Sequence, residues 1–232
     1  MYDHSSIMAL FCKKEPYPKK LLIFQEDVYR SFLKHPICTD QERFFDAIRW
    51  GETNLIIAFL RHPSPVGWQG RCYGRMDLAL APESATQVED MIAALTPLCH
   101  ATVWSSPALR CLQPAVRIAS ALNSLPPQVD ARLAELDFGT WEGMKWDEID
   151  RGALDLWAAD PLGFRPPGGE SGAQLQTRVT GFYQELQRLG GDHIVITHGG
   201  PLKILLPLAA GKKPDILAPA PAFASVTLRE AV

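Results

Sequence analysis

Apolar and polar residues follow one another along this chain in blocks of two kinds. Short continuous apolar runs, LIIAFL (55–60), ATVWSS (101–106), HIVITH (193–198) and ASVTL (224–228), have the length of strands. Their lack of polar alternation is the signature of strands buried on both faces, as in a parallel sheet. Between them ESATQVEDMIAALTPL (83–98), ALRCLQPAVRIASAL (108–122), SGAQLQTRVTGFYQELQRL (171–189) and PLKILLPLAAG (201–211) carry apolar residues at helical spacing. Strands alternating with helices predict an α/β sheet covered on both faces. No internal repeat or low-complexity tract is evident.

The first fifty residues read differently. KKEPYPKK is polar and broken by proline, and KLLIFQEDVYRSFLKH fits an amphipathic helix only loosely. In TDQERFFDAIRWG, Thr39 and Glu42 have capping-box spacing and Gly51 is suited to close the helix. Residues 1–53 are therefore read as an extension of uncertain structure and function, a mis-assigned start codon being one explanation. Residues 54–232 are read as the functional domain.

Composition narrows the function. A chain of 232 residues with 47% hydrophobic and 21% charged residues is that of an ordinary globular protein with one sizeable core. A net charge of -3 argues against a polyanion-binding surface, so nucleic acid is not expected as a partner. No apolar run approaches a membrane span and no signal peptide opens the chain, which predicts a cytoplasmic protein without a membrane partner. The five cysteines, Cys12, Cys38, Cys72, Cys99 and Cys111, show no CxxC spacing and are expected to be free thiols, with no metal site among them.

Ligands of open α/β sheets bind beyond the carboxyl ends of the strands, and here those ends carry related chemistry. LIIAFL runs into Arg61 and His62, ATVWSS leads into a helix carrying Arg110, and HIVIT leads into His198, Gly199 and Gly200. Guanidinium forks match phosphate oxygens, and an imidazole with one nitrogen fixed presents the other as a nucleophile. Backbone amides at the start of the helix after His198 are expected to add positive charge for the same oxygens. Taken singly, each of these residues has a duller structural reading, and His4, His35, His100 and His193 are left with that reading. Pro63 and Pro65 restrict the loop behind His62, and Pro63 has no amide proton to offer a phosphate.

With Arg61-His62-Pro63 go SSPALRC, LAELDFGTWEG, PPGGES and THGG, in that order. Together they resemble the histidine phosphatase superfamily, the phosphoglycerate mutase-like proteins, over residues 55 to about 228. The resemblance implies a three-layer α/β/α sandwich with a mostly parallel central sheet. It also implies phosphomonoester hydrolysis without a cofactor, in which His62 becomes phosphorylated and Arg61, Arg110 and His198 complete the phosphate pocket. Glu135 stands where the family has its proton donor, a role favoured by partial desolvation; Glu142 is the nearby competitor and Asp137 a weaker one.

RHPSPVGWQGRCYGRMDLAL looks most like the α-ribazole phosphatase branch of cobalamin synthesis, in which proline often follows the histidine. This branch implies α-ribazole 5′-phosphate or adenosylcobalamin 5′-phosphate as substrate. Ser64 then stands near the phosphate or serves the turn, and Tyr73 either stacks on the substrate or packs the loop. Gly199 and Glu142 complete the expected substrate contacts. The tryptophans Trp68, Trp104, Trp141, Trp146 and Trp157 read as core or rim. A broad-specificity or sugar-phosphate phosphatase of the same superfamily stays open, as do a mutase and an inactive phospho-ligand binding module. The expected partner is a small phosphomonoester, and the expected state a monomer or homodimer.

Overall fold

The first apolar run becomes an interior strand of a sheet because both of its faces find apolar partners. A computed structural model describes residues 55–230, so the expectations for residues 1–53 lie outside the described residues. The strands are β1 (Ile56–Arg61), β2 (Thr102–Ser105), β3 (Gln128–Val129), β4 (His193–Thr197) and β5 (Val226–Glu230). The helices are α1 (Ser84–Leu95), α2 (Leu109–Ala121), α3 (Arg151–Ala159), α4 (Gly172–Leu189) and α5 (Gly199–Ala209). The sheet has the order β3-β2-β4-β1-β5, with β1, β2, β3 and β4 parallel and β5 antiparallel to β1.

Successive side chains of a strand point to opposite faces, and the two cores divide accordingly. Ile57, Phe59, Trp104 and Val195 face α4 and α5, meeting Leu175, Val179, Phe182, Leu202 and Leu205. Ala58, Leu60, Val103, Ile194 and Ile196 face α1 and α2, meeting Val88, Met91, Leu95, Ala115 and Ile118. The result is the expected α/β/α sandwich. Helix α4 starts at a capping box in which Ser171 and Gln174 satisfy each other's backbone amides.

Three features depart from the sequence pattern. Strand β5 is an antiparallel edge strand with no buried residue, so its apolar run does not report two-sided burial. Strand β3 is two residues long and helix α3 buries none of its residues, which leaves neither with a readable period. Around α3 a small satellite core gathers Cys72, Trp141 and Ile149 with Phe138, Trp146, Trp157 and Phe164. Cys72 and Cys111 are buried free thiols, whereas Cys99 is disulfide-bonded, contrary to the expectation for all five.

The registers place Arg61 opposite Thr197 and Ser105 opposite Ile196. The carboxyl ends of β1, β4 and β2 thus lie level, with β4 filling the gap that the chain leaves between β1 and β2. The sheet face carrying Trp104 is anchored by Phe182, 1% exposed, whose ring meets the indole edge-on at 5.5 Å. Phe182→Ala is expected to cost about 3–5 kcal/mol, because the helix cannot collapse into the space left against the sheet. Urea unfolding checks this: the midpoint should fall while the slope stays that of wild type.

Candidate active site

The last ladder bond of β1 carries the chain one residue past the strand, where the His62 amide donates to the Thr197 carbonyl at 3.0 Å. The His62 ring is fully buried, with Nδ1 2.7 Å from the Pro63 carbonyl oxygen. A carbonyl only accepts, so Nδ1 carries the proton and Nε2 keeps its lone pair. Nε2 is buried and has no hydrogen-bond partner.

Two guanidinium groups flank this ring. Arg61 donates through Nη1 to the Pro221 carbonyl, and its Cζ lies 3.9 Å from the centre of the Phe223 ring. Arg110, in the first turn of α2, is completely buried; it donates to the Gly74 carbonyl at 2.6 Å and to that of Met76. Among the described residues neither arginine forms an ion pair with a carboxylate, and the Nε of each is buried without a partner. Carbonyl dipoles aim these cations without neutralising them.

His198 begins the turn between β4 and α5. Its Nε2 lies 2.7 Å from Ser106 Oγ, and its ring meets that of His62 edge-on at 5.1 Å. The Cys111 thiol also touches it, 3.5 Å from Nε2; burial pushes that thiol up, so it stays protonated. Burial, followed by Arg110 and Arg61, drives the His62 imidazolium down to about 3, against the opposing bond to Pro63. Burial first and then Arg110 hold His198 well below the usual histidine range. Both rings are neutral at physiological pH.

Glu135 stands at the mouth of this group. Its Oε1 accepts from the Leu136 amide at 2.9 Å and from the Gly200 amide at 3.0 Å. Gly200 is required here, because a Cβ would stand 2.2 Å from Oε1. The backbone carrying Glu135 is clamped from outside: Arg178 donates to the carbonyls of Arg132, Ala134 and Glu135, and its guanidinium pairs with Glu170 at 2.7 Å. Arg75 adds a bond to the Glu135 carbonyl and ion pairs with Asp137 and Glu170.

A cleft of about 560 Å³ opens on this region, lined by Ser106, Arg110, Glu135 and His198 and rimmed by Arg75 and Arg178. The structure thus brings His62, Arg61, Arg110, His198 and Glu135 together at the level strand ends. The other expected residues sit differently. Glu142 braces a loop, its Oε1 accepting from the amides of Arg75 and Phe138, and it does not line the cleft. Asp137 accepts from the Gly139 amide in a turn. Ser64 is tied to Gln87 by two hydrogen bonds, its hydroxyl accepting from the amide nitrogen at 3.1 Å. Tyr73 lies across the arginine pair, its ring 5.2 Å from Arg110 Cζ, in place of an open stacking wall. Gly199 packs against Ala220 and Arg61.

Of the backbone amides after His198 expected to face phosphate, that of Gly200 serves Glu135 instead. Sequence reasoning also passed over Ser106, Arg178 and Phe223. Ser106 was within reach, lying four residues before Arg110 in SSPALRC, while Arg178 and Phe223 sit in runs with no distinguishing pattern. Among the described residues no cluster of three or more His, Cys, Asp or Glu side chains is grouped to hold a metal ion.

The chain belongs to the histidine phosphatase superfamily, branch 1, whose family model matches residues 57–228. It is 29% identical over 141 residues to phosphoserine phosphatase 1 of Hydrogenobacter thermophilus, covering 59% of this chain and 66% of that protein. It is 38% identical over 122 residues to a bifunctional protein of Mycobacterium tuberculosis, covering 47% of this chain and 31% of that one. The match therefore spans less than two thirds of either relative's own length. The alpha-ribazole phosphatase of Shigella flexneri shares the fold, with a TM-score of 0.67 at 19% identity over 75% of this chain and 89% of that one.

The buried histidines give stability a pH slope. Unfolded histidine takes up a proton near pH 6.5, whereas folded His62 does so only near 3, and His198 and His193 are shifted the same way. Between those limits the unfolded state holds more protons, so stability falls as pH falls, by roughly 1.4 kcal/mol per pH unit for each such group. Urea midpoints measured from pH 7 to pH 5 should decline, and the decline should be shallower in His62→Gln.

Proposed function

We propose that this chain hydrolyses small phosphomonoesters through a phosphohistidine formed on His62. The observation that carries the reading is the unpartnered, buried Nε2 of His62 beside the guanidiniums of Arg110, fully buried, and Arg61, partly buried, neither of which has a carboxylate partner. A phosphoryl group supplies what all three lack: an electrophile for the lone pair and negative oxygens for the cations.

In the first step the Nε2 lone pair attacks phosphorus in line, and the bond from phosphorus to the ester oxygen breaks. Glu135 gives its proton to the departing alcohol, while Arg61, Arg110 and His198 stabilise the equatorial oxygens. In the second step water attacks the phosphohistidine, Glu135 takes up the water proton, and the phosphorus–nitrogen bond breaks. His62 returns to its neutral form with the proton still on Nδ1, where Pro63 holds it. Glu135 serves in both directions because its carboxylate is tethered by backbone amides at the mouth of the cleft.

For the ester itself we take α-ribazole 5′-phosphate, supported by the sequence of the loop after His62, including Pro63 and the Cys72-Tyr73-Gly74 run. A broader phosphatase is the second reading, favoured by the likeness to a protein named a phosphoserine phosphatase.

Release of inorganic phosphate from α-ribazole 5′-phosphate, phosphoserine and a panel of sugar phosphates tests both. A strong preference for the ribazole ester supports the first reading, and even rates across the panel support the second. His62→Ala should reduce every rate to background. Glu135→Gln should slow alkyl phosphates by about 10²–10⁴-fold and p-nitrophenyl phosphate far less, since that leaving group needs no acid. Full activity of His62→Ala would end the phosphohistidine mechanism.

Gly200→Ala should mimic the loss of Glu135 without touching it. The added methyl displaces the carboxylate, so the same leaving-group dependence should appear in a folded protein, checked by circular dichroism beside the rates.

A further inference from the structure

In-line attack requires phosphorus at about 3–3.5 Å from the nucleophilic nitrogen. In this structure that nitrogen has no open face: His62 is fully buried, and the cleft that reaches Arg110, Glu135 and His198 stops short of both His62 and Arg61. The ring of Phe223 stands over both of them. Its centre is 3.9 Å from the Arg61 guanidinium carbon and 5.4 Å from the centre of the His62 ring. On its other side Trp68 meets it edge-on at 4.9 Å.

We propose that Phe223 is an aromatic gate: its side chain covers His62 and Arg61 in the closed position and swings away to admit the phosphoryl group. This inference rests on the phosphatase reading above. The moving part is the side chain, because the backbone on either side is stitched down. The Ala224 amide donates to the His62 carbonyl at 3.2 Å, the Arg61 amide to that of Ser225 at 3.1 Å, and Arg61 itself to that of Pro221. Pro219 and Pro221 stiffen the approach. Ala224 is held at φ 56, a left-handed conformation that alanine rarely adopts, and this turn aims Phe223 inward.

The closed gate has a physical rationale. A guanidinium without a carboxylate is satisfied by the face of an aromatic ring, which a phosphate displaces because it brings full negative charge. Phe223 and the phosphate therefore compete for one place over Arg61. Closure lowers the apparent affinity for any phosphate by the fraction of molecules found open. Trp68 loses its edge contact when the ring leaves, so it reports the motion.

Orthovanadate, a stand-in for five-coordinate phosphorus, tests the gate by calorimetric titration of the full chain. Phe223→Ala should bind it about threefold to tenfold more tightly than wild type, with Phe223→Leu between them. The Leu variant carries the same comparison if the Ala variant does not fold. Vanadate should also change the tryptophan emission of wild type, and this change should vanish in Trp68→Phe while binding persists. Unchanged or weaker vanadate binding in the folded Phe223 variants, with wild type hydrolysing esters, would overturn the gate. A wild type that neither hydrolyses esters nor binds vanadate overturns the phosphatase reading, and the gate falls with it.

Discussion

The site depends on withdrawing two arginines from water, Arg110 fully and Arg61 in part, without neutralising them. Removing a guanidinium from water costs several kcal/mol, and proteins usually recover this with a carboxylate partner. Arg61 and Arg110 receive backbone carbonyls in its place, from Pro221 for the first and from Gly74 and Met76 for the second. Carbonyls fix direction and lessen the desolvation cost, yet leave the formal charge unanswered. Burial of the neighbouring imidazoles, reinforced by these charges, keeps them neutral, which is the state in which His62 can offer a lone pair. Burial and uncompensated charge together thus prepare the proposed anion site and the proposed nucleophile.

Everything else in the fold serves to bring these groups level. The strand order puts β4 between β1 and β2, so three crossings of the sheet end side by side, and the register fixes Arg61 against Thr197. Glu135 comes from a segment with no sheet pairing of its own. Its position rests on Arg178, which ties the carbonyls of Arg132, Ala134 and Glu135 to α4, and on Glu170, which holds Arg178. Glu135 is therefore placed by a salt-bridged clamp, whereas His62 is placed by a ladder. Of the two, only the clamp depends on charged side chains.

This difference explains what was legible in the sequence. Strands with two buried faces leave unbroken apolar runs, and the helices over them leave a period, so the sandwich and the strand-end position of Arg61, His62 and His198 followed from pattern. Strand β5 misled because an apolar run says nothing about direction, and an edge strand also tolerates one. Helix α3 is short and fully buries none of its residues, touching the satellite core only through partly buried ones such as Trp157, so its pattern is weak. Among the site residues, the motif order indicated Arg110 but not its complete burial, which comes from the loop carrying Gly74 and Met76 folding back over it. Glu142 and Glu135 were separable only through their partners: one carboxylate meets amides inside a loop, the other the first turn of α5. The competition for the Gly200 amide is a three-dimensional fact with no trace in spacing.

The proline after the histidine acts through its carbonyl as much as through its ring. A side chain bonding to the carbonyl of the very next residue needs that peptide held at one orientation, and the ring locks φ at about −65°. The 2.7 Å contact from Nδ1 is therefore preorganised, and the tautomer of His62 is set before any ligand arrives. Elsewhere such a bond would be a modest contribution to stability. Here it decides with which nitrogen the ring can act, because with Nδ1 occupied the only lone pair the ring can offer lies on Nε2. Residue 63 gives up a hydrogen-bond donor, and in the proposed mechanism the guanidiniums of Arg61 and Arg110 supply donors for phosphate in its place.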